Sequence, residues 1–217
     1  MTRSPWVLLL ALLGILAGCA GPKEAAGPPP LPATNYYEVT TPHGAFVVRL
    51  SDETPVHRDN FKKLVAEGFY DGTTFHRIVR GFMIQGGAPR SRFEEPDPAW
   101  ADDGSGYTLP AEIVPGMTHT VGALAAARKG DAVNPERRSS GSQFYVVTGP
   151  NARHLDGQYT IFGRVVEGLD VLAELESVPT YRPQRGQQPA PGYRPDQPRR
   201  RIPMGIRPLP DYAEPEG

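Results

Sequence analysis

Hydrophobic and polar positions divide the chain into distinct stretches. Val7–Ala17 is an uninterrupted run of eleven apolar or small residues, shorter than the roughly 20 that a membrane-spanning helix needs. From Tyr36 to Val178 the apolar residues instead come in short bursts, mostly at the spacing of strands. Tyr36–Thr41 and Ala45–Leu50 are β-rich runs separated by Pro42-His43-Gly44, which predicts a hairpin. Thr54-Pro55 then opens a helix, with Thr54 as N-cap and Pro55 at the first helical position. Phe61, Leu64 and Val65 give that helix its apolar stripe, and Gly68 ends it. Short strands are predicted over Thr74–Val79, Phe82–Gln85, Gly122–Ala126, Gln143–Thr148 and Thr160–Val165. A second helix covers Leu169–Leu175, with Leu169, Leu172 and Leu175 on one side. Ile202–Arg207 reads as a last strand, which Pro203 confines to an edge or a strand start. These elements predict a mainly β fold, a closed antiparallel eight-stranded barrel capped by two helices.

Composition sharpens the boundaries. The 25 prolines and 24 glycines among 217 residues approach the level at which disorder becomes the default reading. Five prolines fall in residues 20–35, ten in 179–217 and one at Pro5, leaving nine between Tyr36 and Val178. The excess therefore belongs to the flanks, not to the domain. Residues 1–18 read as a signal peptide, with Arg3 as its positive start. Leu16-Ala17-Gly18-Cys19 resembles a bacterial lipobox, which implies cleavage before Cys19 and its lipidation. Residues 19–35 would then be the acylated Cys and a Pro/Gly-rich tether, stably held on a membrane by several acyl chains. Ala20, where an Asp would retain a lipoprotein, favours the outer over the inner membrane. The domain spans 36–209, with a Pro/Arg-rich surface loop at 180–199, and residues 210–217 form a tail. The net charge of −1 argues against nucleic acid as a partner, and one Cys excludes an intramolecular disulfide.

Three blocks carry the candidate chemistry. Residues 75–87 read Phe-His-Arg-Ile-Val-Arg-Gly-Phe-Met-Ile-Gln-Gly-Gly, residues 140–148 read Ser-Gly-Ser-Gln-Phe-Tyr-Val-Val-Thr, and residues 154–163 run from His154 to Gly163. Their order and spacing resemble the cyclophilins, the peptidyl-prolyl cis-trans isomerases, over roughly Tyr36 to Leu209. Met83 and Gln85 share one strand face, as do Gln143 and Tyr145. The glutamine in each pair argues that these faces point away from the core, toward a groove, while Ile84, Phe144 and Val146 point inward. An exposed surface with Phe82, Met83 and Tyr145 suits an apolar ring held by a few hydrogen bonds.

The resemblance implies roles for particular residues. Arg77 would be catalytic. Phe82, Met83, Tyr145 and Leu155 would line a pocket for the substrate proline, with Tyr159 near it and Gln143 among the binding residues. Gln85 would orient Arg77, and the backbone at Ala127-Arg128 would pair with the substrate chain. Arg128 stands where many relatives have Asn and should make the rim more basic. Tyr145 replaces the commoner Phe and should place a hydroxyl at the pocket edge. Tyr159 takes the place of a frequent His. His154 stands where cyclosporin-sensitive members carry Trp, which implies weak cyclosporin binding. The implied partners are proline-containing polypeptides, met by a monomer, on folding proteins of the envelope.

Rotating a peptide bond requires no nucleophile, metal or cofactor, so none is expected. His76 is read as structural, and His43, His57 and His119, lacking metal-ligand spacing, as surface or turn residues. Gly86-Gly87 lacks the Lys-Ser/Thr of a phosphate loop, and Ser140–Gln143 holds no nucleophile elbow. The rival reading is a tethered module that grips proline segments without turnover; the full set Arg77, Phe82, Met83, Gln85, Gln143 and Tyr145 favours an enzyme. Residues 89–115 and 179–198 read as long solvated loops.

Overall fold

The computed structural model describes residues 29–93, 104–183, 187–188 and 191–215. The expected signal segment, Cys19 and the first part of the tether lie outside these residues. Among the described residues, no helix is long and apolar enough to cross a membrane.

The hairpin forms where alternation predicts it. β1 (Tyr36–Thr41) and β2 (Gly44–Leu50) pair antiparallel from Tyr36↔Arg49 to Thr41↔Gly44. Gly44 makes the turn at φ +121°, a region that side chains disfavour. β3 (Phe75–Val79), β4 (Met83–Gly86), β6 (Ala123–Ala126), β8 (Phe144–Val147) and β9 (Ile161–Glu167) follow within two residues of their expected bounds. β5 (Thr108–Leu109) and β7 (Ser139–Ser140) pair as a separate ribbon, each too short to leave a periodic signal.

The main sheet runs β10-β1-β2-β9-β6-β8-β4-β3 and forms a half-barrel, not the closed barrel expected. β10 starts later than predicted, at Gly205–Pro208, and among the described residues pairs with β1 alone. Pro203 has no N–H to give, so the seam with the chain entering β3 carries an isolated Thr74–Pro203 bridge. The Phe75 amide donates to the Ile202 carbonyl at 3.0 Å and the Met204 amide to Thr73 at 2.8 Å, without a continuous ladder.

Inside the sheet lies the main apolar core, which α1 (Pro55–Ala66) enters with Phe61, Leu64 and Val65. Phe61 from this helix sits among rings, with Tyr37, Tyr70, Phe144 and Phe162 all within 5.9 Å between centroids. Rings buried this way each stabilise the fold by about 1.5–3 kcal/mol. α2 (Leu169–Ser177) buries Leu172 and Leu175, but Leu169 at its start is 51% exposed, so the expected stripe is one turn shorter.

Thr54 does not cap α1; its hydroxyl is buried without a partner among the described residues. The amides of Val56 and His57 donate instead to the Glu112 carboxylate, at 3.0 and 2.9 Å. An anion at the positive end of a helix replaces the local cap. Glu112 arrives from the segment after β5, within the long loop that the sequence predicts over 89–115. His57 Nδ1 lies 2.6 Å from the same carboxylate. His57 is buried, as is His119, correcting the surface reading of both; His43 is exposed as expected. Burial pushes the His57 pKa down against the opposing pull of Glu112.

Candidate active site

The site begins with an irregularity in β3. Phe75 pairs with Gly86 and Arg77 with Gln85, so His76 is an extra residue and the strand bulges. The bulge changes the phase of the strand. Phe75 and Ile78, three positions apart, both enter the main core, while Val79 packs on the opposite face. In an unbroken strand Arg77 would share the face of Phe75 and its charge would meet the core. With the bulge, its guanidinium lies part-buried outside the core, where Nη1–H donates to Gln85 Oε1 at 3.2 Å. Gln85 Nε2–H donates in turn to Gln143 Oε1 at 2.8 Å. Gln85 and Gln143 are both buried, so this amide chain is firmly placed.

Beside this chain is a second apolar cluster. Met83 and Tyr145 belong to it with Ala123, Ala125, Val147 and Ile161, while Phe82, Ala127, Leu155 and Tyr159 pack against it half-buried. The division of faces is as expected, since Ile84, Phe144 and Val146 lie in the main core. The surface is less open than expected: Met83 is 1% exposed and Tyr145 4%. The ring of Tyr159 meets Tyr145 edge-on at 6.1 Å, and Phe82 faces His154 at 5.5 Å. The structure therefore brings Arg77 and all nine expected binding residues into one region. Cys19 lies outside the described residues.

Three details differ from the sequence reading. The Tyr145 hydroxyl does not stand at a pocket edge; it is buried, 2.9 Å from His119 Nε2, and burial pushes its pKa far up. His119 Nδ1 lies 2.8 Å from Asp156 Oδ1, whose oxygen also accepts the His119 amide at 2.7 Å. His119 and Asp156 thus hold Tyr145 from behind, and nothing local in the sequence marks His119 for that task. Burial keeps the His119 pKa below the usual histidine value although Asp156 opposes it. Arg128 does not make the rim basic: its side chain is 3% exposed, lies 4.2 Å over the Tyr159 ring, and pairs with Asp131 at 2.6 Å. Ala127 uses both main-chain groups internally, its amide to Gln143 at 3.0 Å and its carbonyl from Ser140 at 2.8 Å.

The loop carrying Phe82 is held by contact between two glycines. The Phe82 carbonyl accepts from the Thr148 amide at 3.0 Å and the Gly81 carbonyl from Asn151 at 3.2 Å. A Cβ on Gly149 would run into the Gly81 backbone, which has no side chain to move aside. Gly149 itself is extended, so the requirement is close approach, not a special φ. Gly149→Ala is expected to cost about 1–3 kcal/mol and to displace Phe82. A urea midpoint measured together with peptide turnover checks this; unchanged values for both would refute it.

The family described as "Cyclophilin type peptidyl-prolyl cis-trans isomerase/CLD" matches residues 36–192. Peptidyl-prolyl cis-trans isomerase B of Bacillus subtilis is 42% identical over 119 residues, covering 54% of this chain and 73% of that protein. Peptidyl-prolyl cis-trans isomerase-like 2 of Rhizopus delemar is 39% identical over 147 residues, covering 67% of this chain but only 25% of that longer protein. A cyclophilin type peptidyl-prolyl cis-trans isomerase of Cryptosporidium parvum superposes with a TM-score of 0.62 at 26% identity, covering 81% of this chain and 99% of that one.

Proposed function

The chain belongs to the cyclophilin-type peptidyl-prolyl cis-trans isomerases, and from that premise we propose that it turns X-Pro bonds of exported proteins through Arg77, from a lipid anchor at the cell envelope. The observation that carries the catalytic part is the Arg77 guanidinium, fixed by Gln85 beside the cluster of Phe82, Met83, Tyr145 and Leu155.

The barrier to rotation, roughly 18–20 kcal/mol, is the amide resonance lost at the twisted geometry. As the C–N bond turns, the prolyl nitrogen regains its lone pair and becomes a better acceptor. A donor aimed at that nitrogen binds the transition state more strongly than the ground state, which is the requirement for catalysis. Arginine suits this because its planar fork stays charged. The apolar cluster holds the ring while the preceding carbonyl swings, so no proton need be transferred. Because Ala127 is engaged internally, pairing with the substrate chain falls to the main chain of Arg128.

The anchor rests on sequence alone: the apolar run, the lipobox-like Leu16–Cys19 and the proline-rich tether. The protein would face the periplasm, on the outer membrane in preference to the inner, as a monomer. Weak cyclosporin binding belongs to the same reading, since His154 offers no indole donor; a nanomolar dissociation constant would reject it. Two measurements test the main proposal. NMR exchange on an Ala-Pro peptide should show acceleration, and its absence would leave a proline-binding module. Cys19→Ala should move the protein from the membrane fraction to the soluble one, and retention on the membrane would remove the anchor.

A further inference from the structure

We infer that Asp196 is a positioning residue for Arg77, supplied by the Pro/Arg-rich excursion that follows α2; the inference rests on the catalytic reading of Arg77. Asp196 Oδ2 accepts from Arg77 Nε–H at 2.5 Å. The Arg77 side chain is 36% exposed and that of Asp196 only 18%, so the carboxylate is the better-buried partner. The contact is built from both sides. The Ile78 amide, next to Arg77, donates to the Asp196 carbonyl at 2.7 Å, which seats this residue on the outer edge of β3.

The excursion is itself tied down near Asp196. The Gln197 amide closes a turn on the Arg194 carbonyl at 3.1 Å, and the Tyr181 amide donates to Gln197 at 2.9 Å. Arg199 donates to Pro179 at 2.9 Å, Thr180 bridges to Pro198, and Tyr181 stacks on Tyr193 with centroids 3.9 Å apart. Gln197 is buried. A solvated loop, as read from composition, would not make these contacts. The family match ends at residue 192, so Asp196 comes from chain outside it.

An arginine on a strand samples many rotamers, and only those aimed at the prolyl nitrogen catalyse. Asp196 on Nε and Gln85 on Nη1 hold the guanidinium plane from two different sides. Among the described residues, both Nη2 protons and one on Nη1 are left for the substrate. A carboxylate also screens the arginine charge, which would slow catalysis. Water already attenuates that charge at a group this exposed, whereas Gln85 alone would hold the plane at one donor instead of two. Orientation therefore dominates.

Asp196→Ala is expected to lower the catalysed exchange rate of a saturating Ala-Pro peptide about 10-fold, with peptide affinity within about twofold. Asp196→Asn keeps an acceptor oxygen and should retain most of the rate. The Arg77 Nε–H signal should be sharp and protected in wild type and Asp196→Asn, and lost in Asp196→Ala. In an Arg77→Ala background, Asp196→Ala should change nothing. Faster turnover in both Asp196 variants would overturn positioning in favour of screening. An equal loss with and without Arg77 would reduce Asp196 to a structural contact. If Arg77→Ala leaves the rate intact, the catalytic reading itself fails, and the inference with it. Matching thermal midpoints for Asp196→Asn and wild type separate these outcomes from misfolding.

Discussion

Arg77→Ala is expected to slow catalysed cis-trans exchange of an Ala-Pro peptide by roughly 10- to 100-fold while leaving peptide affinity within a few-fold. Charge-assisted hydrogen bonds are worth about 1.5–3 kcal/mol, and that interval corresponds to this rate range. The effect should fall on the exchange rate because the interaction strengthens only as the nitrogen regains its lone pair. Arg77→Lys should recover part of the rate. It restores a charge but not the fork that donates to Asp196 and Gln85 together. Removing the guanidinium leaves the buried Gln85 still bonded to Gln143, so the fold should survive with a cost of about 1 kcal/mol. NMR line shapes with a chemical-denaturation control make the measurement. A rate insensitive to Arg77→Ala would show that the pocket, not the arginine, lowers the barrier.

Acid should weaken the fold through His76. This extra residue of the β3 bulge is 6% exposed, and among the described residues neither ring nitrogen has a hydrogen-bond partner. Burial, opposed by the nearby Thr74 backbone and helped by the positive charge of Arg77, lowers its pKa from 6.5 to about 4. Above pH 6.5 the ring is neutral in folded and unfolded chains and contributes no pH dependence. As pH falls below that value, the unfolded chain takes up a proton that the folded chain refuses. Stability is therefore lost between pH 6.5 and about 4, by up to about 3 kcal/mol. His57 and His119, also held below the usual histidine value, add losses of the same sign. His76→Leu should match or exceed wild type near neutrality, since it removes two unpartnered nitrogens, and should flatten the acid slope. Urea midpoints over that pH range give the test, and an unchanged slope in His76→Leu would clear His76 of the role.

The elements that the pattern predicted well share one property: each alternates or repeats over four or more residues. The first hairpin, the α1 stripe and the split of Ile84, Phe144 and Val146 from Met83, Gln85 and Tyr145 follow from periods of 2 and 3.6. The failures have the opposite property. The β5–β7 ribbon has two residues a side, the cap of α1 comes from Glu112, and the closed barrel gives way to a half-barrel at one proline. The candidate site was legible as a set of residue types because the three blocks carry it. Its wiring was not, since Asp196 lies 119 positions from Arg77 and His119 lies 26 from Tyr145.

The linear chain alone settles which of the longer segments extend or coil and which faces they bury, while the residues of the groove follow from the resemblance its three blocks carry. Those properties depend on local sterics and on the polarity of near neighbours. Only the folded chain decides that a bulge at His76 turns Arg77 out of the core, that Arg128 folds onto Tyr159, and that a distant carboxylate holds the guanidinium. Register slips and ion pairs across a hundred residues arise from the sum of packing over the whole sheet, and no window of sequence contains that sum.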